Sequence, residues 1–173
     1  MQFFSGFSIS KEEYLLEDFL NTSAYTISGF SYGAIKAFQE AKKKLASRQR
    51  VDTLQLLSPA FFQSKDEKFK RLQKRAYSKN KIIYLKQFLN SCFEPYEKKI
   101  VQNRVSNLEE LDELLFYIWS LDELKKLQEQ GVKIEVYLGG KDSIVDALSA
   151  KEFFLEVATV TYIKDANHFL QTT

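Results

Sequence analysis

A glycine-flanked serine, Gly29-Phe30-Ser31-Tyr32-Gly33, constrains the fold of this chain more than any other stretch. A β-type run, Ala24–Ile27, precedes it, and an amphipathic helical pattern follows it. A serine in a sharp turn between a strand and a helix is lifted clear of the sheet edge, and the crowded backbone needs small residues on both sides. The stretch therefore predicts a strand–turn–helix unit that presents Ser31. Taken alone, it also fits a glycine turn that happens to contain a serine.

Composition narrows the class of protein. The 173 residues fit one domain with one core, and a hydrophobic content of 45% is enough to fold without disulfides or metal. Cys92 is the only cysteine, which excludes an internal disulfide and suits a reducing compartment; its simplest role is that of a buried apolar residue. No apolar run has the length of a membrane span and the N-terminus lacks the features of a signal peptide, so we expect a cytoplasmic protein without a membrane partner.

Strand and helix patterns alternate in the outer parts of the chain. Strands are predicted at Met1–Phe4, Ala24–Ser28, Val51–Leu57, Val132–Leu138 and Thr159–Ile163. Helices are predicted at Lys11–Leu20, where Ser10 and Glu13 form a capping box, from Ser31 to Leu45, and at Val145–Val157. This alternation predicts parallel β-α-β units, and hence an α/β fold with about five mostly parallel strands.

Residues 61–130 interrupt the alternation, because they show helical periodicity and no convincing strand. Five helices are predicted there, at Lys65–Tyr77, Lys81–Phe93, Pro95–Arg104, Leu108–Trp119 and Leu121–Gln130. Capping boxes, Ser106 with Glu109 and Ser120 with Glu123, precede the last two helices. We therefore predict one domain, residues 1–173, with residues 61–130 inserted as a helical lid.

Three residues suited to nucleophilic catalysis follow three of the predicted strands. Ser31, Asp142 and His168 each come just after a strand, and the carboxyl ends of parallel strands meet at one edge of a sheet. A serine hydroxyl needs a base, and His168 is the only histidine; a carboxylate would orient the imidazole and stabilise its cation. Singly, His168 fits a core or surface histidine and Asp142 a turn residue. Together, in the order Ser, Asp, His, the three motifs favour a catalytic triad.

An oxyanion formed at Ser31 needs two backbone donors. The N–H of Tyr32, the residue after the nucleophile, is one candidate. The N–H of Phe7 is the other, in the loop Ser5-Gly6-Phe7 after the first strand; the alternative is that Gly6 only turns the chain. This chemistry needs neither a metal nor a nucleotide cofactor.

These motifs resemble those of the α/β-hydrolases. Gly29–Gly33 resembles the nucleophile elbow, and Leu56–Ala60 resembles the strand that follows the elbow helix. Ser5-Gly6-Phe7 resembles the oxyanion loop, with serine in place of the usual histidine. Gly140–Val145 resembles the turn that carries the acid, and Ala166–Phe169 resembles the turn that carries the histidine. The chain starts at what would be the family's third strand and has no room for the fourth. The resemblance therefore implies a shortened α/β-hydrolase fold with a helical lid insert.

A shortened hydrolase with a basic helical lid is most similar to the pimeloyl-[acyl-carrier protein] methyl ester esterases of biotin synthesis, in their short BioV-like form. The resemblance implies a serine carboxylesterase that hydrolyses the methyl ester of pimeloyl-acyl carrier protein through an acyl-enzyme. Two alternatives remain: a general short-chain esterase or thioesterase with the same triad, and a non-catalytic hydrolase-like module that binds an acidic protein.

The charge of the predicted lid bears on its partner. Residues 61–105 contain twelve Lys/Arg and four Asp/Glu, whereas residues 106–130 contain seven acids and two lysines. Lys70, Arg71, Lys74 and Arg75 recur at helical spacing and are predicted to share one face. Such a face would dock an acidic acyl carrier protein; a solvated helix face is the alternative. Nucleic acid is disfavoured because no binding motif accompanies these residues.

Small polar residues also recur along the predicted strands. Val132–Leu138 alternates apolar and polar residues, and Thr159 and Thr161 occupy alternate positions of the last strand. A parallel sheet covered on both faces is apolar throughout. We therefore predict that one face is covered by little more than one helix, or by a partner chain, which leaves a homodimer open.

Overall fold

The computed structural model describes all 173 residues and is built around one parallel sheet. The strands are β1 (Gln2–Phe4), β2 (Ile9–Ser10), β3 (Thr26–Phe30), β4 (Thr53–Leu57), β5 (Gln102–Asn103), β6 (Lys133–Gly139) and β7 (Thr159–Ile163). Five of them form the sheet in the order β1-β3-β4-β6-β7, and every neighbouring pair is parallel. The predicted α/β class with five parallel strands is therefore confirmed.

Six α-helices accompany the strands. They are α1 (Tyr32–Ala46), α2 (Glu67–Lys79), α3 (Lys81–Phe93), α4 (Leu108–Phe116), α5 (Leu121–Glu129) and α6 (Ala147–Phe154). Helix α1 follows Ser31 directly and packs on β3 and β4, while α5 packs on β6, and α6 packs on β6 and β7. Their apolar side chains meet those of Leu54, Leu56, Ile134 and Val136 in the larger of two cores. None of the helices is both long enough and apolar enough to cross a membrane.

The second face of the sheet is polar and thinly covered. Gln55, in the middle of this face, accepts a hydrogen bond from Ser28 Oγ at 3.0 Å and donates one to Glu135 at 2.8 Å. The irregular segment 11–23 covers part of the face, whereas Thr159 and Thr161 on β7 are exposed. The predicted imbalance between the two faces is confirmed, and it explains why β6 alternates apolar and polar residues.

Residues 11–20 do not form the predicted helix. Only Glu13–Leu15 is helical, as a single 3-10 turn, and the φ of Lys11 is 58°, which a right-handed helix cannot contain. Glu12 turns its carboxylate towards the backbone at Gly6, and Leu16 is fully buried in the smaller core. These tertiary contacts override the local capping signal of Ser10 and Glu13.

The predicted helix Pro95–Arg104 is also wrong. This stretch contains β5, which pairs in antiparallel fashion with β2, and the N–H of Arg104 donates to the Ser8 carbonyl at 2.8 Å. Two strands of two residues each have no periodicity that a sequence could reveal. The pairing fastens the insert to the loop that follows β1.

The insert, residues 61–130, otherwise follows the predicted helices with shifted ends. It leaves the sheet after β4 and returns at β6, which is the neighbour of β4 in the sheet. Ser120 caps α5 by accepting the N–H of Glu123 at 3.3 Å, as predicted, but α4 is capped by Asn107 rather than Ser106. Helix α4 ends at Phe116 because Trp119 turns into the core, where its ring packs against Phe38.

Candidate active site

Ser31 occupies a strained turn between β3 and α1. Its φ of 55° and ψ of −116° form a backbone conformation that residues with a side chain rarely adopt. Its N–H donates to the Leu57 carbonyl at 2.9 Å, and its carbonyl accepts the N–H groups of Ala34 and Ala60 at 3.1 and 3.0 Å. Hydrogen bonds to two elements therefore hold the strained residue in place.

Gly29 and Gly33 provide the room that this turn requires. A Cβ on Gly29 would lie 2.1 Å from the carbonyl oxygen of Gly33, and a Cβ on Gly33 would lie 2.0 Å from that of Phe4. The predicted need for small residues on both sides of Ser31 is confirmed. The second contact also shows that α1 starts directly against the end of β1.

The structure brings Ser31, His168 and Asp142 together. His168 Nε2 lies 2.9 Å from Ser31 Oγ, and His168 Nδ1 lies 2.6 Å from Asp142 Oδ2. The other carboxylate oxygen, Oδ1, accepts the N–H groups of Ile144 and Val145 at 2.8 and 3.0 Å. Both oxygens of Asp142 are thus engaged, which fixes the carboxylate against the imidazole. A hydroxyl, an imidazole and a carboxylate form one hydrogen-bonded chain at the carboxyl edge of the sheet.

The turn that carries His168 is anchored to the lid. The imidazole is fully buried, and its ring centroid lies 5.0 Å from that of Phe30. Asn167 Nδ2 donates to the Phe93 carbonyl at the end of α3 at 2.8 Å, and the rings of Phe93 and Phe169 stack at 4.3 Å. Sequence reasoning assigned no separate role to Asn167, because its partner is distant in the chain.

The two predicted oxyanion donors lie in different kinds of element, one at the start of a helix and the other in a loop. Tyr32 is the first residue of α1, so its N–H belongs to the donors that a helix leaves without an internal partner. Phe7 lies outside the helices and strands, and its N–H donates to no other group of the chain. The preceding N–H, that of Gly6, is engaged with Glu12 Oε1 at 2.7 Å. Both predicted N–H groups are therefore compatible with binding an oxyanion.

Glu12 is a residue of this site that sequence reasoning missed. Its side chain is fully buried behind the oxyanion loop, and burial raises the pKa of its carboxyl above the ordinary value of 4.5. Oε1 accepts the Gly6 N–H, whereas Oε2 is buried without a partner. The helix predicted over residues 11–20 gave no reason to expect the carboxylate of Glu12 beside the oxyanion loop.

Glu12→Gln is expected to change how stability depends on pH. Because the pKa of Glu12 is raised in the folded state, its contribution to stability is fully present below the unfolded value of 4.5. That contribution is lost as the pH rises through the folded pKa. The variant keeps an oxygen for the Gly6 N–H but does not titrate, so the wild type should lose free energy of unfolding relative to the variant as the pH rises above 4.5.

Urea unfolding of both proteins across this pH range measures the difference. Glu17→Gln removes the same charge from an exposed neighbour and serves as control. A difference between Glu12→Gln and wild type that stays constant with pH would contradict the assignment.

An apolar cavity of about 340 Å³ lies beneath the lid. Phe7 of the oxyanion loop and Ile144 of the acid turn contribute to its wall. Half of the other lining residues are large and apolar: Phe62, Phe69, Phe88, Leu111, Leu114 and Leu115. Its size is at the lower end of small-molecule sites, which suits a short aliphatic chain. Phe69, Phe88 and Leu115 of the lid therefore line this cavity, whereas Trp119, also from the lid, is buried in the core.

Of the four predicted docking residues, two contact α4 and two are exposed. Lys70 is only 6% exposed, with Nζ 5.1 Å from the ring centroid of Phe116, and Lys74 forms an ion pair with Asp112. Helix α4 packs against this side of α2, so the prediction of one free face is wrong for these two lysines. Arg71 and Arg75 remain exposed, although Arg71 also pairs with Glu67 at 2.5 Å.

Helix α4 also fastens the lid to α1. Glu113 accepts hydrogen bonds from the Tyr32 hydroxyl at 2.5 Å and from Lys36 Nζ at 2.6 Å. Burial alone would raise the pKa of Glu113, but hydrogen bonds from Lys36, Tyr32 and Gln39 outweigh it and lower the pKa. The residue after Ser31 is thus tied to the lid through its side chain.

Comparison with solved structures finds esterases and other hydrolases whose fold is similar to that of this chain. Naproxen esterase (carboxylesterase NP) from Bacillus subtilis is 21% identical, with a TM-score of 0.51 over 95% of this chain and 62% of the esterase. BioG from Haemophilus influenzae is 10% identical, with a TM-score of 0.55 over 98% of this chain and 88% of BioG. E-2-(acetamidomethylene)succinate hydrolase is 12% identical, with a TM-score of 0.58 over 97% of this chain and 84% of that hydrolase.

These identities show the fold alone. The chain is an α/β protein whose five-stranded parallel sheet resembles a truncated α/β-hydrolase. It spans only 59% to 62% of the length of three Bacillus subtilis hydrolases that it matches. A scan against protein-family models finds no match, and a search of curated protein sequences finds none.

Proposed function

We propose that this chain is a serine carboxylesterase with Ser31, His168 and Asp142 as its catalytic triad. His168 Nε2 takes the proton of Ser31 Oγ as Oγ attacks the ester carbonyl carbon, and Asp142 stabilises the imidazolium that forms. The N–H groups of Tyr32 and Phe7 bind the oxyanion. His168 then protonates the leaving alcohol, and water activated by the same base releases the acid. The observation that carries this proposal is the hydrogen-bonded chain from Ser31 Oγ to Asp142.

The substrate that we propose is the methyl ester of pimeloyl-acyl carrier protein, with methanol as the leaving alcohol. Three observations support it: the resemblance of the motifs to the short methyl ester esterases of biotin synthesis, the fold shared with carboxylesterases and BioG, and the apolar cavity beside Phe7. The acidic carrier protein would dock on the exposed basic residues of α2, Arg71 and Arg75.

The test compares three esters with the purified chain: pimeloyl-carrier-protein methyl ester, free dimethyl pimelate and a short aryl ester. We expect the carrier-bound ester to have the highest kcat/KM. The double charge reversal Arg71→Glu/Arg75→Glu should raise KM for this ester by about tenfold or more, because charges of like sign then face each other, and should leave the free esters unchanged. Lys125→Glu/Lys126→Glu, which reverses two exposed lysines on α5, is the matched control.

The other outcomes separate the parts of the proposal. Cleavage of the free esters with no preference for the carrier-bound one would keep the esterase and discard the carrier substrate. Equal effects of the two charge reversals would discard docking on α2. Cleavage of none of the three esters would favour a non-catalytic binding module.

A further inference from the structure

A second cavity, of about 300 Å³, adjoins the apolar cavity beneath the lid. Phe7 and Phe88 line both cavities, so these two side chains separate them. The second cavity lies between α3, the loop after β1 and the segment around β5, and its apolar wall is formed with Ile9, Ile82, Leu85 and Leu89. Because Phe7 also supplies a proposed oxyanion donor, a ligand in this cavity would lie beside the loop at which ester hydrolysis is proposed.

Three cations and no acidic side chain line this second cavity. The cations are Lys86, Lys98 and Arg104. Glu110 compensates the charge of Arg104 through hydrogen bonds of 2.9 and 3.2 Å. Lys86 has no ion-pair or hydrogen-bond partner in the chain and is exposed. Lys98 Nζ donates only to the neutral amide oxygen of Asn90, at 3.1 Å. Two positive charges in this lining are therefore uncompensated.

Apolar residues and a lysine of this lining lie on the same face of α3. Ile82, Leu85, Lys86 and Leu89 stand at positions i, i+3, i+4 and i+7 of α3 and therefore share one face. Ile82 is 81% exposed although it is apolar. A neutral ligand would leave the two lysines without a counter-charge, and a bare inorganic anion would leave the apolar wall exposed to water. The surface matches a ligand that combines an aliphatic segment with an anionic group.

We propose that this cavity is an anion subsite of the esterase, which binds a phosphate or carboxylate group joined to the scissile ester by an aliphatic segment. The preferred substrates are then esters that carry a negative charge away from the reacting carbonyl. The assignment to a substrate rests on the proposed esterase function, whereas the affinity for an amphipathic anion does not. The subsite uses α3 and the segment around β5, and it is distinct from the docking residues on α2.

Binding is measured first, by calorimetric titration of the Ser31→Ala protein with octyl phosphate, octanoate and octanol at low salt. We expect both anions to bind more tightly than octanol, with an effect of up to about fivefold for each exposed lysine. Lys86→Gln/Lys98→Gln should remove this preference, and so should high salt. Lys79→Gln/Lys99→Gln deletes the same charge from two exposed lysines outside the cavity and is the matched control.

Equal affinity for octanol and the two anions would overturn the proposal. So would an equal loss of the preference for anions in Lys79→Gln/Lys99→Gln and in Lys86→Gln/Lys98→Gln. The ratio of octyl phosphate to octanoate identifies which anionic group the subsite prefers.

Turnover is measured second, with the p-nitrophenyl monoester of an aliphatic dicarboxylic acid and its neutral methyl-capped counterpart. We expect a higher kcat/KM for the charged ester in the wild type and equal values in Lys86→Gln/Lys98→Gln. Cleavage of both esters without a charge preference would overturn the subsite and keep the esterase. Anion binding without cleavage of either ester would overturn the esterase and keep the subsite.

Discussion

Ser31→Ala is expected to lower kcat for ester hydrolysis by at least about 10³-fold without unfolding the protein. The substitution removes the oxygen that is proposed to attack the ester, which is also the only partner of His168 Nε2. Residual turnover would come from binding and oxyanion stabilisation alone, because no other hydroxyl contacts the imidazole. The loss should fall on kcat, since the hydroxyl acts in the transition state and the acyl-enzyme rather than in substrate binding. Steady-state hydrolysis and circular dichroism measure the two effects.

Ser58→Ala is the matched control for this prediction. Ser58 follows β4 at the same edge of the sheet, is fully buried and has a positive φ of 42°, but its hydroxyl has no hydrogen-bond partner. It should keep its turnover. A serine-directed phosphonate should label the wild type and Ser58→Ala, but not Ser31→Ala, as read by mass spectrometry. Turnover retained in Ser31→Ala, or lost equally in both variants, would show that Ser31 is not the nucleophile.

The position of the three site residues was predictable because each depends on local sequence. A turn after a strand is encoded by a few neighbouring residues, and parallel strands align their ends without any further contact. Ser31, Asp142 and His168 could therefore be placed at one sheet edge before their distances were known. The glycines around Ser31 add a steric requirement that is also local, since a Cβ on Gly29 would clash with the backbone of Gly33.

Features that depend on how loops fold onto one another could not be predicted in the same way. Glu12 has its role because Gly6 lies six residues earlier in a loop, and the pairing of β2 with β5 joins residues about ninety positions apart. Local capping and periodicity favoured helices at both places, and the tertiary contacts were stronger. The loop that follows β1 is consequently supported from two sides, by a buried carboxylate and by the insert.

The ion pairs within the insert could not be predicted from the sequence either. The basic and acidic parts of the insert were correctly counted, but a count does not show which charges pair. Asp112 compensates Lys74 and Glu110 compensates Arg104, so the acidic part neutralises some of the basic part within the same lid. The cations that stay available to a ligand lie elsewhere, on the exposed side of α2 and around the second cavity.

Gly33→Ala is expected to destabilise the protein by about 3–5 kcal/mol, or to prevent folding altogether. A Cβ at this position would lie 2.0 Å from the Phe4 carbonyl oxygen and 2.6 Å from that of Ser5. Both obstacles are backbone atoms, so no side-chain rotation relieves the clash. Relief requires the start of α1 to move away from the end of β1, which displaces Ser31 and the loop of Phe7 relative to each other. A variant that still folds should therefore also lose esterase activity.

Gly131→Ala separates this clash from the general cost of replacing a glycine. Gly131 has a φ of 86° and no atom within 4 Å of the added Cβ, so its replacement should cost only about 1 kcal/mol, through backbone strain. Its activity should stay at the wild-type level because it follows α5, outside the site. Urea unfolding followed by circular dichroism gives both free energies. If Gly33→Ala were as stable as Gly131→Ala, α1 and β1 could separate at little cost, and the close contact between them would not be what holds Ser31 beside the oxyanion loop.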